Sequence, residues 1–144
     1  MKSKCFGIWF LIVIFCATIV AACLYNPMRL HALSNDFSNY IRKANVEIIE
    51  VQSKYGKLNG SGNGVQFFVA VLVKAEQEKM EILIAQLEKK YDYVGYMQQN
   101  DSRVDSKYLE HGELCFNADI KGGNYYMVYL YETRPGNPLD VKGH

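Results

Sequence analysis

Histidine, tryptophan and proline are scarce in this chain of 144 residues, which holds three, one and three of them. His31 lies just past an apolar N-terminal run and His144 is the last residue, so His111 is the one candidate general base. No CxxC motif and no Cys/His spacing points to zinc, and no cofactor is expected. Cys5, Cys16 and Cys23 fall in the N-terminal run, leaving Cys115 alone beyond it. A single cysteine closes no internal disulfide, so the chain is not a disulfide-stapled scaffold. Cys115 is expected as a small hydrophobe buried in a strand; the competing reading is an intermolecular disulfide. A basic excess is also missing. The chain has 16 Lys and Arg against 15 Asp and Glu; setting Lys2 and Lys4 aside leaves 14 against the same 15, a balance of −1. Nucleic-acid binding normally shows a basic excess or stripe, so none is expected here. No repeat and no low-complexity tract divides the remainder, which is long enough for one domain with its own core.

Charge is absent again from Cys5 to Tyr25, directly after Lys2 and Lys4. Roughly 20 apolar residues at about 1.5 Å each span a hydrocarbon layer of about 30 Å. An uncleaved membrane anchor is one reading. The run ends in Val20-Ala21-Ala22-Cys23, which resembles a bacterial lipobox. That resemblance covers four residues and implies a lipoprotein signal peptide, cleaved before a diacylglyceryl-modified Cys23. A plain secretory signal with small residues near Ala17 to Ala22 is the third reading. Leu24, Tyr25, Pro27, Met28 and Leu30 do not make a polar tether, and Tyr25 suits the interfacial end of a spanning helix. A buried soluble helix is excluded because the run has no polar face. The basic start favours a cytoplasmic N-terminus and a C-terminal domain outside the cytoplasm, periplasmic or extracellular. Membrane lipid along residues 5–25 is thus one expected partner.

The expected organisation is a signal peptide or anchor over 1–25, a linker over 26–33, one α+β domain over 34–136 and a flexible tail over 137–144. Ser34 is positioned to cap a helix reaching Ala44, with Leu33, Phe37, Tyr40 and Ile41 on one side. Asn45 to Gln52 reads as a strand whose alternation slips between Ile48 and Ile49, the mark of a bulge. Val65 to Lys74 is apolar on both faces and therefore a central strand covered on both sides. Ala75 to Tyr91 reads as an amphipathic helix with Met80, Leu83, Ile84, Leu87 and Tyr91 on its stripe. Asp92 to Gln98 reads as a third strand and Asn100 to Gly112 as a polar loop. Glu113 to Ile120 and Tyr125 to Thr133 read as strands joined at Gly122-Gly123, a hairpin signal. In the first of these, Leu114, Phe116, Ala118 and Ile120 face one way, while Cys115, Asn117 and Asp119 face a wet side. The pattern predicts a small antiparallel sheet packed with one or two helices, a ferredoxin-like or cystatin-like sandwich.

Four features compete for function. Asn59, Gly60, Gly62 and Gly64 form a glycine-rich stretch, but it precedes a strand and no Gly-Lys-Ser/Thr follows. It reads as a hairpin loop and a candidate contact surface rather than a phosphate cradle. Tyr125, Tyr129 and Tyr131 share a face of the last strand. They form either an interior aromatic ladder or an exposed strip that grips a protein or glycan. His111 has Ser102, Ser106, Asp101, Asp105 and Glu110 near it in sequence, yet no G-x-S-x-G elbow occurs. Asn100 to Asp105 fails the calcium-loop pattern at Arg103, and two glycosylation sequons, at Asn59 and Asn100, matter only in a eukaryotic secretory pathway. The expectation is a non-catalytic, membrane-tethered binding module of the cell envelope, its partner another envelope protein or a second copy. The alternatives are an immunity or inhibitor protein that inserts a protruding loop into a toxin or hydrolase, and a small hydrolase using His111.

Overall fold

A computed structural model describes residues 2–59, 64–109 and 114–137. The fold is α+β. One long N-terminal helix is followed by a four-stranded antiparallel sheet and one short helix, in the order α1 (Lys2–Lys43), β1 (Glu47–Gly56), β2 (Gln66–Lys74), α2 (Gln77–Leu87), β3 (Val94–Gln98) and β4 (Tyr125–Glu132). The strand order is β1-β2-β4-β3.

α1 is the unexpected element. Residues 26–33, expected as a linker, are helical, and Ser34 is mid-helix rather than a cap. A serine caps only where the chain before it is extended, and here nothing breaks the helix upstream. Pro27 sits inside it, removing one backbone donor and crowding the preceding turn. Arg42 and Lys43 occupy the last turn, where cations suit the helix dipole. The helix then stops at Asn45, whose φ of 55° is left-handed, a conformation asparagine tolerates better than most residues.

β2 is central, paired with β1 on one side and β4 on the other. Phe67 to Val73 are all fully buried, as an apolar pattern on both faces requires. On one face, Val69, Val71 and Val73 join Tyr126, Val128 and Leu130 of β4. They pack against Phe37 and Ile41 of α1 and against Met80, Leu83, Ile84 and Leu87 of α2. Each such side chain contributes about 1.5–3 kcal/mol when removed from water, so the second half of α1 is a structural part of the core. The register of β1 on β2 shifts between Ile48 and Glu50, where the sequence alternation slips. The extra residue there turns Glu50 toward the opposite face, beside Leu72.

That opposite face is not wet. Phe68, Ala70, Leu72, Met127 and Tyr131 are covered by Leu58, Val104, Leu109 and Phe116. The segment expected as the strand Glu113 to Ile120 lies over the sheet instead of within it. Of its described part, only the isolated bridge Arg103↔Cys115 is strand-like. Its alternation holds, with Leu114, Phe116, Ala118 and Ile120 turned inward; Cys115, expected as a buried hydrophobe in a strand, is exposed on the outer side. Alternation encodes which side meets the core, not whether a neighbouring strand is available for pairing. The expected hairpin becomes a turn joining this cover to β4, with Gly122 at φ 104°. Glu50 fastens the cover. Its carboxylate accepts the backbone N–H groups of Asn117 and Ala118 at 2.7 and 2.9 Å, Asn117 Nδ2 at 2.7 Å and Gln52 Nε2 at 2.7 Å.

Candidate functional site

The strongest candidate is the junction where α1 leaves its apolar run and enters the domain. Ile8 to Leu24 carry large exposed apolar side chains, with Trp9 at 68% and Phe15 at 66%. That stretch of helix is long and apolar enough to cross a membrane, and it meets the rest of the chain near its end, at the half-buried Ala22. Soluble surfaces rarely leave so large a patch uncovered. One residue past Tyr25 the situation reverses, since Asn26 is fully buried. A buried amide needs partners, and the segment after β4 supplies them. Asn26 Nδ2 donates to the Asn137 carbonyl at 3.0 Å, and the Asn137 N–H donates back to Asn26 Oδ1 at 2.7 Å. Asn137 Nδ2 reaches further down, to the Ala22 carbonyl at 3.1 Å. Arg29 Nη1 donates to the Pro135 carbonyl at 2.9 Å, and its guanidinium lies 4.7 Å from the Phe67 ring centre. The Gly136 N–H donates to the Val65 carbonyl at 2.7 Å. A β-carbon at Gly136 would sit 2.7 Å from Asn26 Oδ1 and 2.9 Å from Val65, so glycine permits this close approach. Asn137, expected to begin a flexible tail, is fastened; residues 138–144 lie outside the described residues.

A second fastening joins α1 to the end of α2. Asp36 accepts Lys90 Nζ and the Tyr91 hydroxyl, both at 2.7 Å. The Lys90 hydrogen bond, with that of Tyr91, holds the Asp36 carboxyl below its usual value. Burial, reinforced by Asp36, pushes the Tyr91 hydroxyl up to about 12. The Tyr91 ring meets Phe37 edge-on at 5.4 Å.

Of the two readings of Tyr125, Tyr129 and Tyr131, the structure shows the interior ladder rather than the exposed strip. Tyr131 is only 5% exposed, stacked on Tyr108 at 4.0 Å and bonded through its hydroxyl to Gln66. Tyr129 is half-buried, stacked on Phe68 at 5.9 Å, and its ring lies over Gly95, where a β-carbon would come within 2.6 Å of Cζ. Tyr125 is half-buried with Lys74 Nζ 5.7 Å from its ring centre. Their large flat rings fill the layer between sheet and cover, which is why the face closes. Tyr93, at 47%, is the exposed aromatic of this group.

Asn59 is exposed and donates its N–H to the Tyr108 carbonyl at 2.9 Å, and Gly64 is half-buried. Gly60, Gly62, Glu110 and His111 lie outside the described residues. The described part of Asn100–Gly112 folds back over the sheet through Val104 and Leu109 instead of projecting. Its polar groups are engaged locally: Asp101 holds Arg103 Nε and Nη2 at 3.0 and 2.6 Å, and Ser106 Oγ accepts the Tyr108 N–H at 3.3 Å. Cys23 is exposed on the apolar half of α1. Among the described residues no group of three His, Cys, Asp or Glu converges as a metal site would. A hollow beside Lys90, Tyr93 and Arg134 holds about 50 Å³, while wider, more open hollows of about 290, 340 and 460 Å³ lie along α1, at Tyr25 and Asn137, at Phe15 and Cys23, and at Leu24 and Met28. Asn26, Asn137 and Glu50 were not singled out from the sequence. The one available signal was an asparagine beside a proline at the end of an apolar run.

The chain matches no family model, no curated protein and no solved structure.

Proposed function

We propose that this protein is a membrane-tethered, non-catalytic binding module of the cell envelope, with α1 as an uncleaved anchor and the sheet domain outside the cytoplasm. The observation that carries the reading is the continuity of α1. The same helix exposes an apolar span over Ile8–Leu24 and contributes Phe37 and Ile41 to the core, so the domain is held at the bilayer without a flexible leash. The basic start at Lys2 and Lys4 supports the orientation. The local engagement of Asp101 with Arg103 and of Ser106 with the Tyr108 N–H supports binding over catalysis by that segment. The anchor is favoured over a lipoprotein signal because cleavage before Cys23 would remove the Ala22 carbonyl that Asn137 holds.

The test is the intact mass of the protein extracted from its native membrane, together with its resistance to alkaline carbonate. A full-length mass in the carbonate-resistant fraction is expected. A mass starting at Cys23 with an added diacylglyceryl group would replace the anchor with a lipoprotein, and release of the protein by carbonate would remove the membrane reading altogether. Crosslinking in the native membrane then identifies the bound partner, another envelope protein or a second copy.

A further inference from the structure

We infer that the end of the sheet domain around Lys57, Tyr93, Lys107 and Arg134 rests on the phospholipid headgroups of the membrane that α1 crosses, so that the domain is seated on the bilayer rather than raised above it. This inference rests on the anchor reading of α1.

The argument is one of levels along the helix. Cys5 to Tyr25 extends about 31 Å as a helix, the thickness of a hydrocarbon core, and a headgroup layer adds about 5–7 Å on each side. Asn26 to Arg29 therefore fall in that layer. These are the residues to which the domain is clipped: Asn137 bonds Asn26 and even Ala22, and Arg29 lies over Phe67 and holds Pro135. Phe67 is level with Tyr55 and Glu132 in the sheet, so Lys57 and Arg134 flank that level. The Asn59 N–H bond to Tyr108 draws Lys107 alongside, and the Tyr131 N–H bond to the Tyr93 carbonyl places Tyr93 one step above. Lys57, Tyr93, Lys107 and Arg134 are all exposed. Exposed lysine, arginine and tyrosine at this depth are the side chains that suit a bilayer interface, and the bases favour anionic lipid. The opposite end of the sheet, at Asn124, lies about 30 Å away along a strand of nine residues.

The full chain, with Cys5, Cys16, Cys23 and Cys115 replaced by alanine, is reconstituted in vesicles of phosphatidylcholine and phosphatidylglycerol. A fluorophore is placed by Asn59→Cys, Thr133→Cys or Asn124→Cys, and a fraction of the lipid carries a headgroup nitroxide. Quenching at 59 and 133 is expected to exceed that at 124 by about fivefold or more, given the separation along the strands. Replacing Lys57 and Arg134 by glutamate should lower the quenching at 59 and 133 on anionic vesicles. Equal quenching at all three positions in carbonate-resistant protein would overturn the seating while leaving the anchor intact. Extraction by carbonate would overturn the anchor and the seating with it. Insensitivity to the two glutamates would overturn the preference for anionic lipid.

Discussion

Removing the Glu50 side chain should loosen the cover from the sheet. Its carboxylate accepts four hydrogen bonds, two of them from backbone N–H groups of the cover. Hydrogen bonds to a charged group contribute about 1.5–3 kcal/mol each when well shielded, less when water competes. Two of the four are exposed and two part-buried, so Glu50→Ala should cost about 2 kcal/mol in all, or about 8 °C in Tm for a domain of this size. Glu50→Gln should cost about half as much, because the amides of Gln52 and Asn117 can rotate to present oxygens to the new amide. The pH dependence has a fixed sign. Burial would raise the Glu50 carboxyl, but the bonds from Gln52, Ala118 and Asn117 outweigh it and hold the group below its ordinary 4.5. A depressed carboxylate stabilises the fold above the unfolded value and loses that contribution as pH falls through the folded value. The gap between wild type and Glu50→Ala should therefore be full at pH 7 and shrink below about pH 4.5. The assay is thermal unfolding of the full chain in detergent by tyrosine near-ultraviolet dichroism, with exposed Glu78→Gln as control. A Tm loss under about 2 °C at pH 7, or a gap unchanged down to pH 3, would refute the role given to Glu50.

Gly95→Ala should cost about 1–3 kcal/mol, because the added carbon collides with the Tyr129 ring. In the Tyr129→Ala background the same substitution should cost much less, which a double-mutant cycle of melting curves measures. Asp36→Asn should cost at most about 1 kcal/mol, since the pair with Lys90 is solvent-exposed. It should also lower the Tyr91 hydroxyl from about 12, which NMR titration of ring-labelled tyrosine reads against Tyr91→Phe. Asn26→Ala should leave the Asn137 N–H without its partner and cost about 1–2 kcal/mol. Limited proteolysis would show faster cutting near Pro135–Asn137 while β4 stays intact.

Patterns one element long were legible in the sequence. The two-faced apolar run of β2, the stripe of α2 from Met80 to Leu87 and the slip at Ile48 each follow from a local period and stand in the structure, whereas Tyr91, expected on that stripe, falls past the helix end at Leu87. What the periods do not carry is the partner. Leu114, Phe116, Ala118 and Ile120 alternate as a strand does, yet the sheet already has its edges at β1 and β3, and the segment serves as a lid on one face. The tyrosines of β4 likewise alternate correctly, but whether they are wet depended on where that lid falls. The apolar run and the amphipathic stretch after it were read as separate elements because Pro27 and the change of composition suggested a break; Asn26, Asn137 and Arg29 hold the helix through that point. Bonds between residues 111 positions apart leave no mark in a local window.

That long separation bears on how the protein is made. On the anchor reading proposed above, α1 enters the bilayer while the sheet is still unsynthesised. Phe37 and Ile41 must then wait, unpaired, for Val128 and Leu130, which emerge some ninety residues later. The bond from Asn137 to Ala22 must wait longer still, across a separation of 115 residues. Non-local closure of this kind is slow and leaves apolar surface open meanwhile. On that reading, truncation before Asn137 would yield an inserted helix carrying an unfinished domain whose C-terminal segment is unlatched.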